Sequence, residues 1–233
     1  MQAEIRHQPS YAITYLTLTP GEAARVEGGA MVMMSEGLEM ETKAQGGLLK
    51  SLGRAALGGE SFFVNTYRAP GGGGWLAVAP KMPGDMAVLE LGGQTMLVQS
   101  GSFVASSEAI TTDTKWGGAK TFFSSEGLFM LRCEGAGTLV MSSFGAIERM
   151  ELATGQKVIM DTGHLVAMTE GMQYEIRKVG GWKSTLFSGE GLVVHVTGPG
   201  TLYTQTRSPD AFISWLAPML PTPSTGGNNP FGG

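Results

Sequence analysis

The sequence predicts an all-β protein, a single domain of three pseudo-repeated antiparallel β units finished by a short C-terminal helix. Three observations carry that expectation: composition, alternation and repetition. The 233 residues include 36 Gly and 11 Pro, only 15% are charged, and 42% are hydrophobic. Glycine inside a helix costs about 1 kcal/mol, so this composition disfavours a helical bundle and suits short strands joined by tight turns. The hydrophobic share also excludes a disordered, strongly charged chain.

Alternation of period two marks half-buried strands. Leu38 and Met40 alternate with Glu39 and Glu41, and Tyr174 and Ile176 with Gln173, Glu175 and Arg177. Leu192, Val194 and Val196 share one face, with Val193 and His195 opposite.

Repetition is the third observation. The pattern G-x-x-V-x-x-[ST]-E-[GA]-apolar occurs from Gly29 to Leu38, from Gly101 to Ile110 and from Gly163 to Met172. A second block follows each time: Leu57-Gly-Gly-Glu60, Phe123-Ser-Ser-Glu126 and Phe187-Ser-Gly-Glu190. A third block comes next: Gly74-Trp-Leu-Ala-Val, Gly137-Thr-Leu-Val-Met and Gly200-Thr-Leu-Tyr-Thr. These blocks delimit units of about 26–91, 98–152 and 160–207. A sheet this small cannot bury its apolar face alone, so three units around a pseudo-threefold axis are expected to share one core. Ser208, Pro209 and Asp210 form an N-cap, a first-turn proline and a first-turn acid, which opens a helix over 208–220. Residues 221–233 have the composition of a loose tail.

The ordered blocks, the Gly46-Gly47-Leu48-Leu49 to Glu60 segment, Pro83-Gly84-Asp85 before a strand, and Gly198-Pro199-Gly200 leading to Gln205-Thr206 carry a family resemblance. Over residues 1–207 the chain resembles bacterial relatives of the altered inheritance of mitochondria protein 24 (mitochondrial biogenesis) family. The resemblance implies a fold of the tryptophan RNA-binding attenuation protein type, a TRAP-like β-sandwich of the double-stranded β-helix kind, often assembled into rings or trimers. It implies no assigned biochemical activity for bacterial members, and an inner-membrane association for the mitochondrial one. It supplies no catalytic residues. No motif here matches the tryptophan- and RNA-binding residues of the fold's namesake.

Net charge is −4, which offers no basic face for nucleic acid. Cys133 is the lone cysteine, so no intrachain disulfide forms and a reducing, cytoplasmic setting is expected. The first twenty residues lack an apolar signal core, and no run approaches the ~18 apolar residues of a membrane-spanning helix. Gly71-Gly-Gly-Gly74 is followed by Trp75 and so lacks the lysine of a phosphate-binding loop. His164 aligns with Ala30 and Ser102, and His195 with Asn65 and Leu131. A threefold metal site is therefore not supplied, and no cofactor, metal or enzymatic activity is expected. Glu36, Glu108 and Glu170, with Glu60, Glu126 and Glu190, recur at strand ends or turns, where a carboxylate accepts backbone N–H groups. Catalysis needs one site and architecture needs three, so these read as structural.

The sharper interaction signal lies between the first and second blocks. Leu48, Leu49 and Lys50, then Trp116 and Lys120, then Trp182 and Lys183 follow or flank glycine pairs at equivalent places. Apolar tips beside lysine suit a subunit interface or an anionic membrane surface, as well as simple folding back onto the sheet. Phe212, Trp215 and Leu216 make the C-terminal helix a docking element for its own sheet, a neighbouring subunit or a bilayer. The functional expectation is a self-associating scaffold or assembly module, a homo-oligomer of three or more, engaging a partner protein or, peripherally, a membrane. The alternative is a small-ligand-binding protein with its site between repeats or subunits.

Overall fold

Gly-punctuated alternation becomes strands throughout. A computed structural model describes residues 1–43, 63–113, 129–178 and 192–221. Among the described residues, strand β1 (Gln2–Arg6) precedes three units of six strands. The first unit holds β2 (Ile13–Leu18), β3 (Ala23–Glu27), β4 (Met31–Met34), β5 (Glu39–Lys43), β6 (Val64–Arg68) and β7 (Gly74–Val78). The second holds β8 (Met86–Gly92), β9 (Met96–Gln99), β10 (Phe103–Ser107), β11 (Thr111–Asp113), β12 (Met130–Glu134) and β13 (Ala136–Ser142). The third holds β14 (Ile147–Leu152), β15 (Lys157–Asp161), β16 (Leu165–Thr169), β17 (Gln173–Lys178), β18 (Leu192–Thr197) and β19 (Gly200–Gln205).

One pairing rule runs through all three units. The sixth strand lies between the first and third, as β7 lies between β2 and β4, and the fifth lies between the second and fourth, as β6 lies between β3 and β5. Neighbouring units join by pairing the second strand of one with the third strand of the next, β3 with β10 and β9 with β16. The result is four antiparallel sheets, β1-β2-β7-β4, β5-β6-β3-β10-β13-β8, β11-β12-β9-β16-β19-β14 and β15-β18-β17. The fold is all-β and a single domain.

Because each unit divides its strands between two sheets, the buried side chains gather between consecutive sheets. Leu16 and Leu76 face Val26, Tyr67, Val104 and Ala105 in the first core. Phe103, Leu139 and Met141 face Val98, Leu131 and Val166 in the second. Leu97, Leu165 and Leu202 face Val194 and Val196 in the third. The expectation of one shared core is thereby corrected. A unit that lends strands to two sandwiches produces a core at each sandwich, not a common one on an axis.

The linkers between units are stitched to one another. Gly84 forms a parallel bridge with Gly145. Asp85 N donates to Gly145 O at 2.8 Å, and Ser143 N to Asp85 O at 3.0 Å. The chain after β19 continues the stack, with Thr206 N donating to Ala146 O and Arg207 N to Phe144 O. Asp85 itself is buried and accepts from Gln8 Nε2 at 2.9 Å. The Pro83-Gly84-Asp85 motif thus fixes how unit one sits on unit two.

Helix α1 (Pro209–Leu216) follows, and Ser208 Oγ accepts from Ala211 N as its cap. A 3-10 turn over Ala217–Met219 ends it. Among the described residues no helix is long and apolar enough to cross a membrane.

Candidate functional site

Leu48, Leu49, Lys50, Trp116, Lys120, Trp182 and Lys183 lie outside the described residues, as do Glu60, Glu126 and Glu190. Phe212, Trp215 and Leu216 are described. The Phe212 ring meets Phe144 edge-on at 5.6 Å and lies 6.0 Å from Trp215. No residue of α1 is buried, so the helix touches its own chain through Phe212 yet leaves Ile213 and Trp215 each 58% exposed. One face of the helix is thus left to solvent.

A cavity of about 610 Å³ opens beside the start of α1. The turns joining second and third strands line it in all three units, through Gly28, Ser100, Gly101, Thr162 and Gly163, with Asp210 at the helix end. Gln205 braces this region. Its Nε2 donates to Gly163 O and its Oε1 accepts from Phe144 N, both at 2.8 Å. Asp161 Oδ1 accepts from Gly163 N at 2.8 Å, and at the rim Lys81 Nζ donates to Glu27 Oε1 at 2.8 Å. A side chain at Gly163 would strike Ser208 Oγ at 2.5 Å, so glycine permits the turn to approach the helix cap.

The Ser143 hydroxyl donates to Gly145 O at 2.7 Å. His164 Nδ1 lies 2.6 Å from Gln205 O; a carbonyl only accepts, so Nδ1 carries the proton. Among the described residues no group of three or more His, Cys, Asp or Glu side chains converges on a metal position. Cys133 is fully enclosed in the second core, and burial pushes its thiol up to about 12, so it is an inert packing residue.

The register corrects the placement of His195. It stands opposite Ile159 and Glu175, which puts it at the place of Thr66 and Arg132 rather than of Asn65 and Leu131. The chain between Glu190 and β18 runs one residue out of step with the other units, which block alignment alone does not reveal.

Two of the recurring glutamates, Glu108 and Glu170, bind arginines across unit boundaries. Arg68 Nη2 donates to Glu108 Oε1 at 2.7 Å. Arg132 donates to both oxygens of Glu170, at 2.6 and 3.1 Å, and also pairs with Glu134. At these two positions the carboxylate's partner is a guanidinium, where a backbone N–H was expected. The signal for Arg68 and Arg132 was their place on the fifth strand, at polar positions facing the next unit's glutamate.

The Arg132 hydrogen bonds hold the Glu170 carboxyl below its ordinary value of 4.5. A carboxyl depressed in the folded state stabilises above its unfolded value, and that contribution is lost as pH falls through the folded value. Both side chains are partly exposed, so the pair is worth roughly 0.5–1 kcal/mol. Arg132→Gln is expected to lower stability by that amount near neutral pH and by less at an acid pH below the carboxyl's ordinary value. Denaturant melts at the two pH values check this, and equal losses at both would refute it.

Comparison with known proteins places this geometry. The sequence profile described as Mitochondrial biogenesis AIM24 matches residues 3–207. An uncharacterized protein of Streptococcus pyogenes serotype M6 is 31% identical over 232 residues, spanning 96% of this chain and 93% of that protein. The X-ray crystal structure of a Streptococcus pyogenes protein is similar at a TM-score of 0.79 and 29% identity, covering 94% of this chain and 99% of that one.

Proposed function

The chain belongs to the Mitochondrial biogenesis AIM24 family, and from that membership we propose that it is a non-enzymatic assembly module, self-associating and cytoplasmic, that presents apolar surface to a partner protein or, peripherally, to a membrane. The observation that carries this reading is the large apolar side chains left outside the cores on β4 and on α1, among others. Contiguous apolar surface on a soluble protein marks an interaction site. Helix α1 carries Asp210 and no basic residue, so it suits a protein groove better than anionic lipid. Any lipid contact then falls to Trp116, Lys120, Trp182 and Lys183.

Native mass spectrometry combined with liposome flotation tests the proposal. Masses that are multiples of 24.5 kDa are expected. Salt-sensitive flotation on anionic vesicles, lost in Trp116→Ala/Trp182→Ala, would assign the membrane arm to the tips. Absence of flotation leaves a protein partner, and a strictly monomeric protein refutes self-association. A second reading, small-ligand binding, is favoured by the 610 Å³ cavity. It requires a compound that raises the melting point in proportion to RT ln(1 + [L]/Kd).

A further inference from the structure

The 610 Å³ cavity has the size of a small-molecule pocket, and its three units use their polar groups differently. Three places compare directly: the last residue of the second strand, the residue before the third strand, and the residue after the last position at which the sixth strand pairs with the third. Unit one holds Glu27, Ala30 and Ala79 there, unit two Gln99, Ser102 and Ser142, and unit three Asp161, His164 and Gln205.

In units one and three the polar members are spent within the fold. Glu27 Oε1 accepts from Lys81 Nζ and Asp161 Oδ1 from Gly163 N, both at 2.8 Å. His164 Nδ1 meets Gln205 O, and the Gln205 carboxamide is held at both of its ends. Unit two is otherwise. Gln99 heads its 3-10 turn without a side-chain hydrogen bond. The Ser102 and Ser142 hydroxyls meet no partner among the described residues, although the two serines are only 3% and 2% exposed. All three line the cavity. Buried hydroxyls are ordinarily hydrogen-bonded, and unit one builds the same turn and strand end with alanines, so the architecture does not ask for these groups.

The charges narrow the ligand. Lys81 is the basic residue of the described lining and is paired with Glu27, so a phosphate or carboxylate finds no free cation. Of the lining carboxylates, Glu27 is engaged by that lysine and Asp210 stands exposed at the helix start, so none waits at depth for a cation. What remains is neutral: an amide and two hydroxyls, which between them donate and accept, beside the apolar rings of Phe63 and Phe144. A sugar ring presents the complement, hydroxyls around its edge and C–H groups on its faces. We infer that the cavity binds a neutral polyhydroxylated ring, a monosaccharide or cyclic polyol, through Gln99, Ser102 and Ser142, with its C–H face against a phenylalanine. This rests on the small-ligand reading above and gives that reading a ligand class.

Isothermal titration calorimetry on the full-length chain tests it, because excluded sugars raise melting temperatures without binding. The probes are D-glucose, D-galactose, D-ribose and myo-inositol, set against inorganic phosphate, citrate, spermidine and indole. Ser102→Ala/Ser142→Ala and Gln99→Leu are titrated beside the wild type, with thermal melts to confirm folding. Ser106→Ala is the control, since Ser106 Oγ is also buried without a partner but lies outside the lining. At least one of the four polyhydroxylated probes is expected to bind. Its affinity should fall at least about tenfold in the double serine variant, fall in Gln99→Leu, and hold in Ser106→Ala. Binding of a charged probe or indole with no polyhydroxylated probe bound would overturn the ligand class and leave the small-ligand reading standing. A sugar bound equally well by every variant would overturn the site. Silence from all eight probes would overturn both. Should the double variant fail to fold, Gln99→Leu decides alone, and unchanged affinity there would overturn the site.

Discussion

Gly84→Ala is expected to destabilise the protein by about 3 kcal/mol or more, a fall in melting temperature of at least about 6 °C for a chain of this size. A Cβ at Gly84 would stand 1.9 Å from Ser143 O and 2.8 Å from Gly145 O. Those are backbone atoms, so no rotamer change relieves the clash. Relief requires parting the two linkers, which breaks the Asp85–Gly145 and Ser143–Asp85 hydrogen bonds and disturbs the seat of buried Asp85. Gly71→Ala is the control. Nothing lies within 4 Å of that position and its backbone is not left-handed, so it should change stability by no more than about 0.5 kcal/mol. Equal melting of the two variants would refute the stitched-linker account.

Phe103→Ala is expected to cost about 3–5 kcal/mol, because a large fully buried ring leaves a cavity that a close-packed core refills only in part. Phe103 packs in the second core beside Leu139 and Met141. Met31 holds the equivalent place in the first unit but is 36% exposed. In a dispersed monomer Met31→Ala should therefore cost under about 1 kcal/mol. Denaturant midpoints at low protein concentration read both values. A Phe103→Ala loss as small as that of Met31→Ala would show that the second core is looser than its burial implies.

Much of this architecture was legible in the sequence. The G-x-x-V-x-x-[ST]-E block marked the third strand of each unit, and alternation around Tyr174 and Val194 marked strands and faces. The cap at Ser208 marked the helix start. What the residues did not disclose was where each strand finds its partner. Alternation says that a strand has an apolar face and is silent on which sheet receives it. The division of a unit between two sandwiches, and hence three cores, was therefore hidden. His195 was misplaced for a related reason, since a one-residue slip between Glu190 and β18 reverses nothing in the local pattern. The exposed edge at Met31–Met34 was invisible because its residues are as apolar as their buried counterparts Phe103–Ser106.

Shared sandwiches also constrain synthesis. The first core includes Val104, Ala105 and Val140 from the second unit, so the opening stretch of the chain cannot finish folding as it leaves the ribosome. It must wait until β13, ending at Ser142, has emerged. Until then β3 and β7 expose apolar faces to solvent.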